Sequence, residues 1–516
     1  MSGFILFGLV GQSFKVLQAS FKGRDPGNRH FSALAHPLWL ASLVIASSPA
    51  IAEDAPVVPA PAMSFEEALT EADQTNPQLL AARAQLRQMD EGVPEALSGW
   101  RPHVSVIAQG GPAIYQTNTD TKYYPERRVP QDYELRLTQN LYTSGRVHDE
   151  VAQAKVRVLA GRATLSASEA LVLLTAGSAY LDVVRDRDIL ALDRNQEVVV
   201  ARTVTANRTE LAAGAITQAD LAQSEARLAR QKATTSLAAT QLVASEASFE
   251  AAVGERPGPL TLPDDHFPLA GTREQVMAQA LQSNPELQAA RRSMEATRLG
   301  VDIARDQLLP IISISGLVEH QREYEYLMYN QRANAVQTLL QIIVPLYQGG
   351  AEYARIRAAK EGNVQAQDLV EQAERQARRI IVTAWSGLTS SRDRVMDADA
   401  AIRADRVAEI GLGQQQAVGA RTTVDLLNAE QETLSSMVSA VSARHDVLLA
   451  ELVLLGATGQ LDAATLLPSV RPYDPAVHYH RVHEKWFGTT PPNDTALAPI
   501  RSPEPGPTID PSSRTR

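Results

Sequence analysis

The 516-residue sequence has no cysteine, which excludes disulfides, thiolate metal sites, iron–sulfur clusters, cysteine nucleophiles and a lipidated N-terminal cysteine. Phe, Tyr and Trp together make up only 5% of the residues. Aromatic side chains usually supply much of the buried area of large α/β enzyme cores, so their scarcity favours a helical protein rich in Ala and Leu. The formal net charge of −10 provides no basic surface of the kind that binds nucleic acid.

Motifs of the common enzyme classes are also absent. The chain contains no phosphate-binding loop, dinucleotide-binding glycine motif, HExxH zinc motif or GxSxG nucleophile motif. We therefore expect neither an enzymatic activity nor a bound cofactor. The one group of potential metal ligands, His478, His480 and His483, lies in a segment rich in proline, and we expect it to be solvated rather than to converge on a metal.

Long apolar runs are missing after the first 52 residues. Within those 52, a basic stretch precedes the apolar run Leu38–Ala46, and Ala50-Ile51-Ala52 follows. This order is typical of a signal peptide with an extended n-region, cleaved before Glu53. Any contact of the mature chain with a membrane is then expected through β-strands or an amphipathic surface.

Proline is absent over two long windows, between Pro130 and Pro257 and between Pro345 and Pro468. Because proline breaks helix interiors, each window can hold very long helices. The only plausible breaks are at Gly214 and Gly419, and each would divide its window into a long helix and a shorter returning one. The returning helices carry a seven-residue apolar period typical of supercoiled helices, seen at Leu427, Leu434, Val441, Leu448 and Leu455.

An internal repeat accounts for these paired features. Asn76-Pro77-Gln78-Leu79 matches Asn284-Pro285-Glu286-Leu287, and the glycine and aspartate pairs Gly214/Gly419 and Asp220/Asp425 follow in the same order. Such ordered landmarks indicate a tandem duplication. We assign the first repeat to residues 64–256 and the second to 272–467. Residues 468–516 are rich in proline and are predicted to form a largely disordered tail.

Each repeat contains one non-helical stretch that is typical of a strand pair, at about residues 102–142 and 310–347. In the last strand the apolar residues of one face are Val336, Leu340, Ile342 and Val344, and Gln337 and Gln341 lie on the other. This alternation fits a barrel wall with an apolar outside and a polar lumen. Two strand pairs cannot close a barrel, because even the smallest needs about eight strands. Several chains must therefore share it.

The duplicated Asn-Pro-x-Leu start, Leu-Tyr-x-x-Gly strand exit and Gly-x5-Asp-Leu turn resemble the TolC family of outer-membrane efflux and type I secretion proteins. The resemblance implies a mainly α protein: a trimeric α-helical coiled-coil tunnel with a shared 12-stranded β-barrel in the outer membrane, four strands from each chain. It also implies a passive exit duct that works with a periplasmic membrane-fusion adaptor and an inner-membrane ABC or RND transporter. The alternative from the residues alone is a periplasmic coiled-coil structural protein without a pore.

The resemblance places the periplasmic entrance of the tunnel at the helix turns. The residues concerned are Asp220, Arg421, Asp425, Asn428 and Gln416, with the turn glycines Gly214 and Gly419. By resemblance, three copies of Asp425 form an acidic ring, and Arg421 pairs with Asp220 to hold the entrance closed. Asn428 and Gln416 stand where the family often has Asp and Tyr, which predicts weaker cation binding. In the alternative interpretation, both aspartates merely cap the returning helices.

Overall fold

The computed structural model describes residues 63–119, 122–263, 267, 271–322, 332–467 and 471–492, and they are mostly helical. The predicted signal peptide and the end of the proline-rich tail lie outside the described residues. The helices are α1 (Phe65–Thr75), α2 (Pro77–Asp90), α3 (Gly92–Leu97), α4 (Arg146–Ala212), α5 (Gln218–Val253), α6 (Arg273–Ser283), α7 (Pro285–Asp306), α8 (Ala351–Ala417), α9 (Thr423–Thr458), α10 (Ala463–Leu466) and α11 (Ala476–Val482). The strands are β1 (His103–Gly110), β2 (Ala113–Thr119), β3 (Lys122–Arg128), β4 (Gln131–Tyr142), β5 (Ile311–Arg322) and β6 (Arg332–Ile343).

The two repeats have matching helices. The long helices α4 and α8 have 67 residues each, and the returning helices α5 and α9 have 36 each. At 1.5 Å per residue, a 67-residue helix is about 100 Å long. The two proline-free windows thus form two long helical hairpins, α4 with α5 and α8 with α9.

The Asn-Pro motif starts one short helix in each repeat and ties it to the returning helix. The Asn284 side chain accepts a hydrogen bond from the Leu287 N–H at 3.0 Å and donates one to the Ala457 carbonyl at 3.0 Å. Asn76 likewise accepts from the Gln78 N–H and donates to the Ala252 carbonyl. Proline fits the first helical position because that residue needs no N–H donor.

Glycines mark the points where the chain changes element. Gly145 and Gly350 have φ values of 99° and 86° and lie between a strand segment and a long helix. Gly214 and Gly419, with φ values of 74° and 77°, lie in the turns between the long and the returning helices. A positive φ is readily adopted by glycine and strained for other residues, so the predicted breaks are at the residues named from the sequence.

The four long strands form one antiparallel sheet in the order β1-β4-β5-β6. Its register aligns Val106, Leu135, Val318 and Val336 in one row, as expected for an apolar outer face. Within the described residues, neither outer edge of this sheet, at β1 or at β6, pairs with another strand. The β2–β3 hairpin is a separate two-stranded sheet, which was not predicted from the sequence.

The main core lies where the short helices of the first repeat pack on α4, α5 and α9. Its largest fully buried side chains include Tyr180 of α4 and Phe249 of α5, and Phe65 of α1 contacts Tyr180 edge-on with 5.3 Å between the ring centroids. A smaller cluster joins α6, α8 and α9 around Ile381 and Leu454. One described helix, α4, contains an 18-residue window apolar enough for a membrane span, but half of that window is buried, as in a core helix.

Residues 471–492 differ from the expected disordered tail. They include the helix α11, and His478 in it is only 4% exposed and lies 3.0 Å from Asp90 of α2. The Arg83 guanidinium lies 5.0 Å from the Tyr473 ring centroid. The prediction that the histidines are solvated is therefore wrong for His478, because a buried carboxylate distant in sequence offers it a partner. Within the described residues, no cluster of potential ligands could hold a metal ion.

Candidate functional site

The turns between the long and returning helices have the same backbone hydrogen bonds in both repeats. The N–H of Gly419 donates to the Gln416 carbonyl and the N–H of Ala420 donates to the Gln415 carbonyl, both at 2.9 Å. The equivalent bonds around Gly214 are also 2.9 Å long. These bonds satisfy carbonyls at the ends of the long helices, and they place the predicted entrance residues at the tips of the two hairpins.

Both predicted aspartates form capping boxes at the first turn of a returning helix. The Asp220 carboxylate accepts from the Thr217 hydroxyl at 2.7 Å and from the Thr217 N–H at 3.0 Å. The Asp425 carboxylate accepts from Thr422 in the same way, at 3.0 and 3.1 Å. Hydrogen bonds to the charged form lower the pKa of both carboxyl groups. The carboxylates are therefore ionised and fixed at the hairpin tips.

The expected pairing of Arg421 with Asp220 is not formed within one chain. Arg421 instead donates from Nε to Oε1 of Gln415, in the last turn of α8, at 3.3 Å. In the same chain, Asp220 Oδ2 accepts two hydrogen bonds from Thr217, three residues earlier in the sequence. Both aspartates thus cap the returning helices in a single chain, and the guanidinium of Arg421, a turn residue, contacts Gln415 of α8 and helps to lower the pKa of Asp425.

The contact between the two hairpins near their tips uses a different pair. Arg227 of α5 donates from Nη2 to Oδ1 of Asn428 in α9. Asn428 was predicted to lie at the entrance as a neutral residue where the family often has an aspartate. Arg227 was not predicted, because nothing in the local sequence marks a residue whose partner is 201 positions away. A neutral amide at position 428 thus joins the first repeat to the second.

A groove of about 360 Å³ at the second tip brings three predicted residues together. Arg421, Asp425 and Asn428 line it with residues of α8 and α9, including Asp405 and Glu432. The Arg421 guanidinium therefore shares this groove with three carboxylates, those of Asp405, Asp425 and Glu432. These charges are accessible to solvent, since none of the four charged residues is buried.

A half-buried carboxyl group also lies near this tip, and it was not identified from the sequence. Burial, together with the nearby charge of Glu409, raises the pKa of Glu430 in α9. Glu409 of α8 also accepts a hydrogen bond from the Thr433 hydroxyl at 2.8 Å. The tip of the second hairpin thus carries two kinds of acidic group, one at the surface with a lowered pKa and one half-buried with a raised pKa.

Two long helical hairpins, joined to a small sheet with two open edges, define a class of outer-membrane channel with a helical tunnel and a β-barrel. The family model described as "Outer membrane efflux protein" matches residues 68–255 and 276–460. The chain belongs to this family. The two matched segments lie within the repeats 64–256 and 272–467 assigned from the sequence.

Relatives and solved structures agree with this assignment. The outer membrane efflux protein BepC of Brucella suis is 32% identical over 428 residues, which are 83% of this chain and 92% of that protein. The alkaline protease secretion protein AprF of Pseudomonas aeruginosa is 27% identical, over 68% of this chain and 75% of that protein. The Campylobacter jejuni CmeC outer membrane channel has the same fold, with a TM-score of 0.69 at 15% identity over 81% of this chain and 89% of that one.

These findings confirm the predicted mainly helical fold with a small sheet, and the predicted function and location. The protein is an outer-membrane efflux or secretion channel that extends into the periplasm, and the non-pore alternative is wrong. The family consists of channel proteins rather than enzymes. The particular roles of Asp220, Arg421 and Asp425 stay predictions.

Proposed function

We propose that three copies of this chain form a passive duct, with one shared barrel of 12 strands and one continuous helical tunnel. The observation that carries this proposal is the unequal burial of two helices of the same length. Twenty-three residues of α4 are buried but only seven of α8. Exposed apolar side chains of α8 include Leu369, Met396, Val407 and Ile410. Packing against a neighbouring subunit would remove these apolar side chains, and others left exposed along α8, from water.

The open edges of the sheet support the same assembly. The edges at β1 and β6 expose unpaired backbone groups within the described chain, and such groups are too costly to leave unpaired in a bilayer. If β6 of one chain pairs with β1 of the next, three chains with four strands each close a barrel without a free edge. Each α8 would then pack against a neighbouring subunit.

We infer that the tips of the hairpins form the periplasmic entrance and restrict it at rest. Three copies of Asp425 around the axis would form an acidic ring that attracts cations. Arg421 is exposed and uses one N–H group on Gln415 of its own chain, so the other N–H groups of its guanidinium can bind an acceptor on the neighbouring subunit. Asn428, already bonded to Arg227, would add no charge to the ring.

The substrates of this duct are proposed to arrive from an inner-membrane transporter of the ABC or RND class through a periplasmic adaptor. Support comes from relatives named for efflux and for protease secretion, since both processes require an energised step that a passive channel lacks. The exposed surface of the hairpins near their tips is where an adaptor would bind.

The test combines a measurement of the mass of the native assembly with single-channel recording. The detergent-solubilised protein should have the mass of three chains and should insert into planar bilayers in uniform conductance steps. Arg421→Ser should raise the resting conductance of each step. The matched control is Arg208→Ser, which removes the same charge from an exposed ion pair with Glu225 in the first hairpin and should leave the conductance unchanged. A monomeric mass, or an equal effect of both variants, would overturn the proposal.

A further inference from the structure

The segment 471–492, which we call the strap, is held against α2 and α4 by buried polar contacts. His478 Nδ1 lies 3.0 Å from Oδ2 of Asp90, and the two side chains are 4% and 0% exposed. Next to this pair, the Arg162 guanidinium lies 5.4 Å from the ring centroid of Tyr479. The Tyr479 ring stacks in turn on His483, with 5.1 Å between centroids. The strap is therefore attached at a defined level of the helical wall.

From this attachment the strap continues to the base of the sheet. Arg101 donates from Nη1 to the carbonyl of Lys485 at 2.8 Å, and its guanidinium lies 4.7 Å from the Trp486 ring centroid. Arg101 precedes His103, the first residue of β1, by two positions. These contacts place Trp486 and Phe487 at the level where the chain passes from helices into strands.

The two aromatic side chains at this level face solvent. Trp486 is 57% exposed and Phe487 is 85% exposed, and their ring centroids lie 6.3 Å apart. Other exposed large side chains flank the same ends of the strands, namely Trp100, Tyr142, Leu346 and Tyr347. In a chain with only 5% aromatic residues, this concentration indicates a membrane–water interface, where Trp and Tyr are enriched.

We propose that Trp486 and Phe487 insert into the periplasmic leaflet of the outer membrane, so that the strap is a second membrane contact beside the barrel. The inference rests on the proposed barrel. A lipid occupant is favoured because Arg101, which contacts Trp486, lies only three residues before Val104 in the chain, and Val104 and Val106 of β1 are exposed apolar residues. The cationic groups of Arg101 and Lys485 lie beside the pair and match the negative charge of lipid phosphates.

The three tryptophans after the signal segment allow a direct test. The variant W39F/W100F/W385F keeps only Trp486, and the control W39F/W100F/W486F keeps only Trp385. Trp385 lies 34 residues into α8 from Ala351, which is about 50 Å along the helix from the sheet. Both full-length proteins are reconstituted into phosphatidylcholine vesicles with and without brominated acyl chains. We expect brominated lipid to quench Trp486 strongly and to leave Trp385 unchanged.

The outcomes separate this inference from the proposed function. If the vesicles conduct ions but Trp486 is not quenched, the strap does not contact lipid and the inference is overturned, while the duct stands. If the vesicles do not conduct, the duct fails and the inference fails with it. In the Trp486-only protein, His478→Ala should reduce the quenching and preserve conductance, because it removes the contact that positions the strap. Full quenching in that variant would contradict this positioning role.

Discussion

The duplicated Asn-Pro motif offers a comparison of one substitution in two environments. Asn284→Ala removes a helix cap, which costs about 1 kcal/mol, and it leaves the Ala457 carbonyl without its donor. Both hydrogen bonds of Asn284 are buried, so the unsatisfied carbonyl adds about 1–3 kcal/mol. The expected loss in the free energy of unfolding is therefore about 2–4 kcal/mol.

Asn76→Ala is the matched control. Its capping bond is exposed and its bond to the Ala252 carbonyl is only partly buried, so water can replace the lost donor. For this variant we expect the free energy of unfolding to fall by about 1 kcal/mol, which is the cost of losing the helix cap alone. Guanidinium unfolding of the detergent-solubilised protein, followed by far-UV circular dichroism, measures both losses. Equal losses in the two variants would refute the idea that burial of the second bond decides the cost.

Three further predictions concern the turns and the tips. Gly459→Ala should prevent correct folding, because Gly459 has a φ of 71° and an added Cβ would lie 2.6 Å from a backbone carbonyl oxygen of α6. Gly419→Ala should be milder, since its Cβ meets no atom within 4 Å and only the positive φ causes strain. The yields of folded protein from the two variants test this difference. Asp425→Ala should weaken channel block by divalent cations without raising the resting conductance, whereas Arg421→Ser should raise it; identical recordings for the two variants would contradict separate roles. Capping hydrogen bonds lower the pKa of Asp220 and Asp425. The stability that these two carboxylates contribute is therefore present above the unfolded pKa of about 3.9 and is lost as the pH falls through the lower folded pKa. The free energy of unfolding of Asp220→Asn should depend less on pH in this range, and an unchanged pH dependence would contradict the capping role.

Local signals in the sequence predicted the helical framework. Two proline-free windows and the glycines at 214 and 419 were enough to place four long helices, because these residue types act on the backbone where they stand. The β2–β3 hairpin was missed because Pro125 and a run of Tyr and Thr obscure the alternation that marks a strand.

Contacts between distant residues could not be predicted in the same way. The buried pair of His478 and Asp90 joins positions 388 residues apart, so composition alone indicated a solvated tail. Arg421 and Asp220 do not pair within one chain, where Asp220 accepts from Thr217, and their pairing between subunits stays a prediction.

The central claim is that this chain forms a trimeric duct whose resting conductance is limited at the hairpin tips. Single-channel recording of the purified trimer, before and after Arg421→Ser, tests it most directly. We expect uniform conductance steps from the wild-type trimer and larger steps from the variant. Trimers that insert into the bilayer and give no steps, or steps of the same size in both proteins, would contradict it.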